Sequence, residues 1–110
     1  MVQYSRKLDA AFAAIADPTR RGILERLGRA ETGITELAEA FHITPTGMKK
    51  HIGVLEAAGL VTTEKVGRVR WCKLGPRRLD QESAWIDDYR RMLEDRLNRL
   101  GDFLERTKEK

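Results

Sequence analysis

The stretch from Ile34 to Leu74 constrains the fold most, because it contains a helix whose start is marked twice. Thr44 is a residue type that caps the first free amides of a helix. Pro45 suits the first helical position, where the missing N–H of proline would have no partner. Apolar residues follow at positions 48, 52 and 55, which share one helical face. We therefore predict a helix over 45–58 with one buried face and one polar face.

A shorter helix is expected directly before it. Residues from Thr35 to Phe41 place Leu37 and Ala38 on one face with Phe41, and Thr35 is the expected N-cap. Only residues 42–44 separate this helix from the next one. Two helices joined by so short a link form a helix-turn-helix, in which the second helix turns its polar face outward.

A β-hairpin is expected after the second helix. Gly59 is predicted to end that helix in the left-handed conformation. Residues 61–63 and 69–74 are rich in the β-branched and aromatic residues of strands, and residues 65–68 are predicted to form the turn. The expected fold is therefore mainly α with a small β-hairpin wing, as a single winged helix-turn-helix domain over residues 1–110.

Positive charge is concentrated on this central region. The chain has 21 Lys and Arg against 17 Asp and Glu, and residues 41–79 alone hold 8 basic and 2 acidic side chains. An excess confined to one region is typical of a polyanion-binding surface, so we expect double-stranded DNA as the partner. The alternative is a winged-helix module that docks an acidic protein, and steeply salt-dependent binding to random duplex DNA would distinguish the two. The candidate DNA-binding residues are Thr44, Thr46, Gly47, Lys49, Lys50, Lys65, Arg68 and Arg70.

Apolar stripes run along the helices predicted at the two ends, over residues 5–16 and 80–107. The last helix would be about 40 Å long, which exceeds the diameter of about 30 Å of a small domain. Its stripe would be exposed in a monomer, so we expect a homodimer formed by these two helices. The alternative is that the last helix folds back on its own domain. The candidate dimerisation residues are Leu8, Phe12, Trp85, Tyr89, Leu93, Leu97, Leu100 and Leu104.

Several short motifs occur in one order along the chain. Residues Ala16–Arg20 have the sequence Ala-Asp-Pro-Thr-Arg, and Glu36–Ala38 have the sequence Glu-Leu-Ala. His51–Val61 contains His-Ile-x-Val-Leu and then Ala-Gly-Leu-Val, and Gly67 and Arg68 follow in the wing. In this order and spacing the motifs resemble the ArsR family of bacterial repressors. The resemblance implies a homodimeric winged-helix repressor that binds an inverted-repeat operator.

The sequence lacks the metal-binding motifs of that family. Metal-sensing members carry Glu-Leu-Cys-Val-Cys where this chain has Glu31–Thr35, which contains no cysteine. Other members place histidines on the last helix, whereas no histidine follows His51 here. Soft and borderline metals need thiolate or imidazole ligands. The resemblance is therefore to the branch without the cysteine motif, and we expect neither a metal nor another cofactor.

Few other residues suggest chemistry. Cys72 is interpreted as packing in a wing strand, and the alternative is a redox switch in which Arg70 and Lys73 lower its pKa. His51 is expected at the edge of the core, and Arg20 is expected to hold a nearby helix end rather than a phosphate. The sequence has no Ser-His-Asp pattern or phosphate-binding glycine loop, so we do not expect an enzyme. Lacking a signal peptide or an apolar span, it is expected in the cytoplasm without a membrane partner.

Overall fold

The structure is a computed structural model that describes residues 6–108. The predicted first helix began at residue 5, which lies outside the described residues. The chain divides into two compact units, one ending at Arg78 and one beginning at Leu79. The elements in chain order are α1 (Arg6–Ile15), α2 (Pro18–Arg29), β1 (Thr32–Gly33), α3 (Ile34–Ala40), α4 (Pro45–Ala57), β2 (Val61–Val66), β3 (Val69–Leu74) and α5 (Asp80–Lys108). The fold is mainly helical with a small β wing, as the sequence predicts.

The first unit is built around α4, which contacts α1, α2, α3 and β2. Met48, Ile52 and Leu55 are all buried, which confirms the predicted inward stripe of this helix. The opposite side of α4 is left to solvent. The other buried apolar side chains of the unit are Leu8, Ala11, Ala14, Ile23, Leu27, Ile34, Leu37, Ala38, Ala58, Leu60, Val61 and Cys72.

Two helices begin with a side-chain cap followed by a proline, and the sequence predicts the one at Thr44 and Pro45. The Arg20 amide donates to the Asp17 carboxylate across 2.9 Å at the start of α2. In the same way, the Gly47 amide donates to the Thr44 hydroxyl across 3.1 Å at the start of α4. A proline occupies the first turn of each helix, where its missing N–H costs no hydrogen bond.

Two helix ends of this unit share one backbone motif. At the end of α3, His42 has a φ of 55°, and the Ile43 amide donates to the Ala38 carbonyl oxygen across 2.9 Å. At the end of α4, Gly59 has a φ of 78°, and the Leu60 amide donates back into the last turn across 2.9 Å. Both ends are Schellman motifs, in which a left-handed residue lets the chain reverse. The left-handed conformation predicted for Gly59 is confirmed.

The sheet has a third strand that the sequence did not predict. Its order is β1-β3-β2 with antiparallel pairing, and β1 pairs Thr32 with Cys72 and Gly33 with Trp71. This pairing also makes the predicted N-cap of α3 wrong. Because Thr32 and Gly33 are held extended, α3 begins directly after them, with Gly33 as N-cap and Thr35 inside the first turn.

The hairpin turn is shorter than predicted. Val66 and Val69 pair directly across the hairpin, so Lys65 and Val66 belong to β2 rather than to the turn. Gly67 and Arg68 alone form the turn, and Gly67 has a φ of 63°. A two-residue hairpin turn favours a positive φ at its first residue, because the twist of such a turn matches the right-handed twist of the two strands.

The second unit consists of one long helix. α5 spans 29 residues, close to the predicted 80–107, and at 1.5 Å per residue it is about 43 Å long. The Trp85 and Tyr89 rings stack on it with their centroids 5.6 Å apart. Among residues 6–108, no helix is long and apolar enough to cross a membrane.

Candidate nucleic-acid interface

The outer face of α4 is polar and basic. Thr46, Lys49, Lys50 and Gly53 are all exposed along it. The first three lie in the N-terminal half of the helix, where a helix entering a major groove makes its contacts with base edges. Short side chains and lysines can approach both bases and phosphates. The structure therefore brings the predicted helix residues onto one accessible face, while their contacts with DNA remain a prediction.

Gly47 has a structural role that the sequence did not indicate. A Cβ atom at this position would lie 2.9 Å from Cγ2 of Ile43 and 3.2 Å from the Thr44 hydroxyl oxygen. Its amide already donates to Thr44, and the residue is only partly exposed. As a DNA-binding candidate, Gly47 is expected on the outward face of the helix. That placement is wrong, because a side chain at this position would point into the helix-turn-helix link. Its assignment to DNA binding stays a prediction, but packing alone explains a glycine here.

Gly53 is the glycine that does face outward. A Cβ atom built on it would have no neighbour within 4 Å, and the residue is exposed in the middle of α4. Glycine inside a helix costs about 1 kcal/mol relative to alanine. The packing of the described residues gives no reason for this cost. Contact with another molecule would explain the glycine, because the helix backbone can approach a partner most closely where the residue has no side chain.

The basic wing residues are positioned by the register of β2 and β3. Lys65 lies directly opposite Arg70, and Thr63 lies directly opposite Cys72, so these four residues share one side of the hairpin. Arg68 lies in the turn at the tip. Like charges directly opposite each other destabilise a strand pair. All three predicted wing residues, Lys65, Arg68 and Arg70, are exposed, and their contact with a phosphate remains a prediction.

Arg70 is held by a short chain of hydrogen bonds. Its NH1 group donates to the Thr63 hydroxyl oxygen across 3.0 Å. The Thr63 hydroxyl in turn donates to the Glu56 carboxylate across 2.9 Å. Glu56 belongs to the last turn of α4, so the chain connects the helix to the wing. Glu56 and Thr63 could not be identified from the sequence, because only the strand register brings Thr63 beside Arg70 and Glu56 beside Thr63.

Arg20 has the structural role that the sequence favoured. Its guanidinium donates to the carbonyl oxygens of Ala14, across 2.8 Å from Nε, and Ala13, across 3.0 Å from NH2. These carbonyls lie in the last turn of α1, where the regular pattern of helical hydrogen bonds ends. The Ala13 carbonyl oxygen also accepts from the Ala16 amide, across 3.3 Å. The NH1 group lies 3.3 Å from Nδ1 of His51, which is half-buried as expected. The side chain therefore ties the end of α1 to α2 and α4.

Cys72 is buried in the wing strand, as the packing interpretation predicts. Burial raises the pKa of its thiol, and the nearby Glu56 carboxylate raises the pKa further. The Arg70 guanidinium lowers the pKa, but its effect is the smallest of the three. The expected reactive thiolate of a redox switch is therefore disfavoured. Across residues 6–108, no group of three His, Cys, Asp or Glu side chains is arranged to hold a metal ion.

The predicted dimerisation residues differ in exposure. Leu8 is 8% exposed and belongs to the buried side chains of the single chain, so it offers little surface to a partner. Phe12 is partly exposed. The α5 members are all open to solvent, up to 66% for Leu97. The exposed apolar stripe of α5 consists of Trp85, Ile86, Tyr89, Met92, Leu93, Leu97, Leu100, Phe103 and Leu104.

The sequence and the fold of this chain are similar to those of known transcriptional regulators. The helix-turn-helix domain family matches residues 15–64, which include α2, α3 and α4 and the start of the wing. A crystal structure of an ArsR family transcriptional regulator, RHA00566, superposes with a TM-score of 0.75 at 38% identity. That superposition covers 86% of this chain and 97% of the other. The likeness thus extends well beyond the helix-turn-helix.

Curated relatives agree with the structural neighbour. The HTH-type transcriptional regulator Rv2034 of Mycobacterium tuberculosis is 37% identical over 71 residues, which cover 64% of this chain and 66% of that protein. The match therefore spans slightly less than two thirds of the relative. The transcriptional repressor SdpR of Bacillus subtilis is 28% identical over 79 residues, covering 72% of this chain and 88% of the repressor.

Proposed function

The chain belongs to the ArsR family of winged helix-turn-helix transcriptional regulators, and we propose that it is a homodimeric repressor of transcription that binds a specific operator in double-stranded DNA. The observation that carries this proposal is the basic, exposed outer face of α4 beside a basic wing. The sequence similarity of this chain to the transcriptional repressor SdpR supports repression as the outcome of DNA binding. No catalytic step is part of the proposal.

In this proposal α4 enters the major groove. Lys49, Lys50 and Thr46 carry donors on the exposed N-terminal half of the helix, and at least one of them contacts a base edge. Thr44 lies at the N-terminus of α4, where free amides and the helix dipole favour a phosphate. Bases contacted by these side chains set the operator sequence, because phosphate contacts carry no sequence information.

The wing contacts the sugar–phosphate backbone beside that groove. Lys65 and Arg70 stand opposite each other on one side of the hairpin, and Arg68 lies at its tip. If each subunit neutralises about three to four phosphates, a dimer neutralises about six to eight, and affinity falls on the order of a thousandfold or more between about 50 and 200 mM salt. Sequence preference and salt dependence are thus assigned to different elements.

The dimer forms through the exposed apolar stripe of α5, with α1 contributing Phe12. Nine apolar side chains are exposed along α5, which is about 43 Å long, and a contiguous exposed apolar surface usually marks an interface. Pairing of two copies about a twofold axis buries it. Two-fold symmetry presents two α4 helices to successive major grooves, so the operator is an inverted repeat.

Selection of bound sequences from a random duplex library tests this function. We expect an inverted repeat to be enriched and the protein to bind random duplex DNA with a steep salt dependence. Arg68→Ala should weaken operator and random DNA alike, whereas Lys50→Ala should cost about 1 to 3 kcal/mol on the operator and relax one base pair per half-site. Failure to bind any duplex DNA at about 50 mM salt would contradict the proposal and favour an acidic protein partner.

A further inference from the structure

We propose that Glu56 and Thr63 are positioning residues, which hold the Arg70 guanidinium in place on the wing for a DNA phosphate. This inference rests on the proposed function, because it specifies how one of its phosphate contacts is prepared. Glu56 and Thr63 need not touch DNA themselves. They act through the two hydrogen bonds that join α4 to β2 and β2 to β3.

The direction of both hydrogen bonds follows from chemistry. An arginine side chain can only donate, so the Thr63 oxygen must accept from Arg70 NH1 across 3.0 Å. The single hydrogen of the Thr63 hydroxyl is then free to point at the Glu56 carboxylate, 2.9 Å away, which can only accept. Glu56 therefore orients the hydroxyl, and the oriented hydroxyl presents its lone pair to Arg70.

The wing needs such a restraint at this position. Arg70 lies opposite Lys65, and repulsion between two cations favours moving their side chains apart. Strand β1 pairs with β3 only at Trp71 and Cys72, so at Arg70 the sheet has two strands rather than three. The hydrogen bonds through Thr63 link Arg70 to α4, which is packed in the core. Fixing a side chain before binding reduces the entropy that binding must otherwise cost.

Glu56 otherwise opposes DNA binding. Only two acidic residues occur among residues 41–79, against eight basic ones, and they are Glu56 and Glu64. A carboxylate near a phosphate-binding surface repels the phosphates. Glu64 lies opposite Trp71 and therefore on the other side of the hairpin from Arg70. Both glutamates carry the same charge, but only Glu56 is linked to Arg70 through Thr63. Glu64 is therefore a matched control for the effect of charge alone.

The first experiment removes the hydroxyl without changing charge. Thr63→Val should weaken binding to random duplex DNA about fivefold, the size of one lost hydrogen bond, and Thr63→Ser should restore it. Thr62→Val is the control, because the neighbouring hydroxyl is buried and makes no hydrogen bond among the described residues. It should bind as the wild type does. Equal affinities of Thr63→Val and wild type would overturn the inference.

The second experiment separates position from charge. Glu56→Ala loses both the charge and the acceptor, whereas Glu56→Gln loses the charge and keeps an oxygen for Thr63. We expect Glu56→Ala to bind several-fold more weakly than Glu56→Gln, and Glu64→Ala to bind at least as tightly as the wild type. Equal gains in affinity for Glu56→Ala and Glu56→Gln would show that only charge matters, and would overturn the inference.

The third experiment asks whether the effect passes through Arg70. In an Arg70→Ala background, Thr63→Val should cause no further loss of affinity, and the same additional loss would overturn the inference. NMR relaxation of the Arg70 side-chain Nε, measured without DNA, should report greater mobility in Thr63→Val than in the wild type, with Arg68 as reference. A wild type that binds no DNA would refute the proposed function instead. Unchanged mobility of Arg70 would refute only the positioning role.

Discussion

The Arg20 guanidinium donates its Nε–H to the Ala14 carbonyl oxygen across 2.8 Å, which closes the end of α1. We expect Arg20→Ala to lower the free energy of unfolding by about 1 to 3 kcal/mol, because the last carbonyls of α1 lose charged donors. Urea unfolding of the purified protein measures this. Arg29→Ala, at the exposed end of α2, is the control and should change stability by less than about 0.5 kcal/mol.

Arg20→Ala also distinguishes a structural from a DNA-binding role. Under conditions in which Arg20→Ala is fully folded, the variant should bind random duplex DNA with the affinity of the wild type. A variant of normal stability that loses DNA affinity would instead assign Arg20 to a phosphate.

Asp17 makes stability depend on acid pH. Its pKa lies below the usual 3.8, because the carboxylate accepts a hydrogen bond from the Arg20 amide. A carboxyl group whose pKa is lowered by folding stabilises the protein above the pKa of the unfolded state, and this contribution is lost as pH falls through the folded pKa. Asp17→Asn keeps an acceptor but does not titrate. The stability advantage of wild type over Asp17→Asn should therefore shrink between about pH 5 and pH 2, as measured by thermal unfolding.

Gly53 should show opposite effects on stability and on DNA binding. Gly53→Ala should stabilise the protein by about 1 kcal/mol, because a Cβ atom meets nothing and alanine favours the helix. The same methyl group should weaken operator binding in a titration if α4 lies in the major groove. Gly47→Ala is the matched control within α4. Its Cβ would lie 2.9 Å from Ile43, so it should be less stable than Gly53→Ala.

Leu97 tests the proposed dimer. Leu97→Glu should place an unpaired charge in an apolar interface, weaken dimerisation by several kcal/mol and abolish operator binding. Sedimentation at micromolar concentration should then give the mass of one chain, whereas the wild type gives twice that mass. Asn98→Glu introduces the same residue on the opposite face of α5 and should remain dimeric. A dimeric Leu97→Glu protein would place the interface elsewhere.

Cys72 should be unreactive in the folded protein. Its side chain is buried and burial raises the pKa of the thiol, so little thiolate is present or accessible near neutral pH. A colorimetric thiol reagent at pH 8 should label the native protein far more slowly than the protein in urea. Cys72→Ser should retain its DNA affinity before and after peroxide treatment. A peroxide response of the wild type that is lost in this variant would support the redox alternative.

The helix-turn-helix was predictable because its signals are local. Thr44 and Pro45 mark the start of α4 within two residues, and Gly59 marks its end. The apolar stripe of α4 has helical spacing, so its buried face could be assigned without knowledge of the tertiary structure. The outward lysines followed from the same spacing. The cap and the stripe link residues that are three or four positions apart, such as Thr44 with Gly47 or Met48 with Ile52.

The parts that sequence analysis missed depend on pairing between distant segments. Strand β1 has two residues, which is too short for a strand pattern, and its partners lie about 40 positions later in β3. The hydrogen bonds from Arg70 to Thr63 and from Thr63 to Glu56 require the register of the hairpin and its placement against α4. The misplaced Thr35 cap had the same origin, because β1 holds the preceding residues extended.

The short strand β1 makes the hairpin unequal along its length. Trp71 and Cys72 have paired strands on both sides, whereas Val69 and Arg70 are paired on one side only. Two-stranded ribbons are marginally stable in water, and a third strand adds much of the protection. Backbone amides near Cys72 should therefore exchange with solvent deuterium slowly, and those near Arg70 quickly. We therefore expect the backbone of the wing to be more mobile at Val69 and Arg70 than at Trp71 and Cys72.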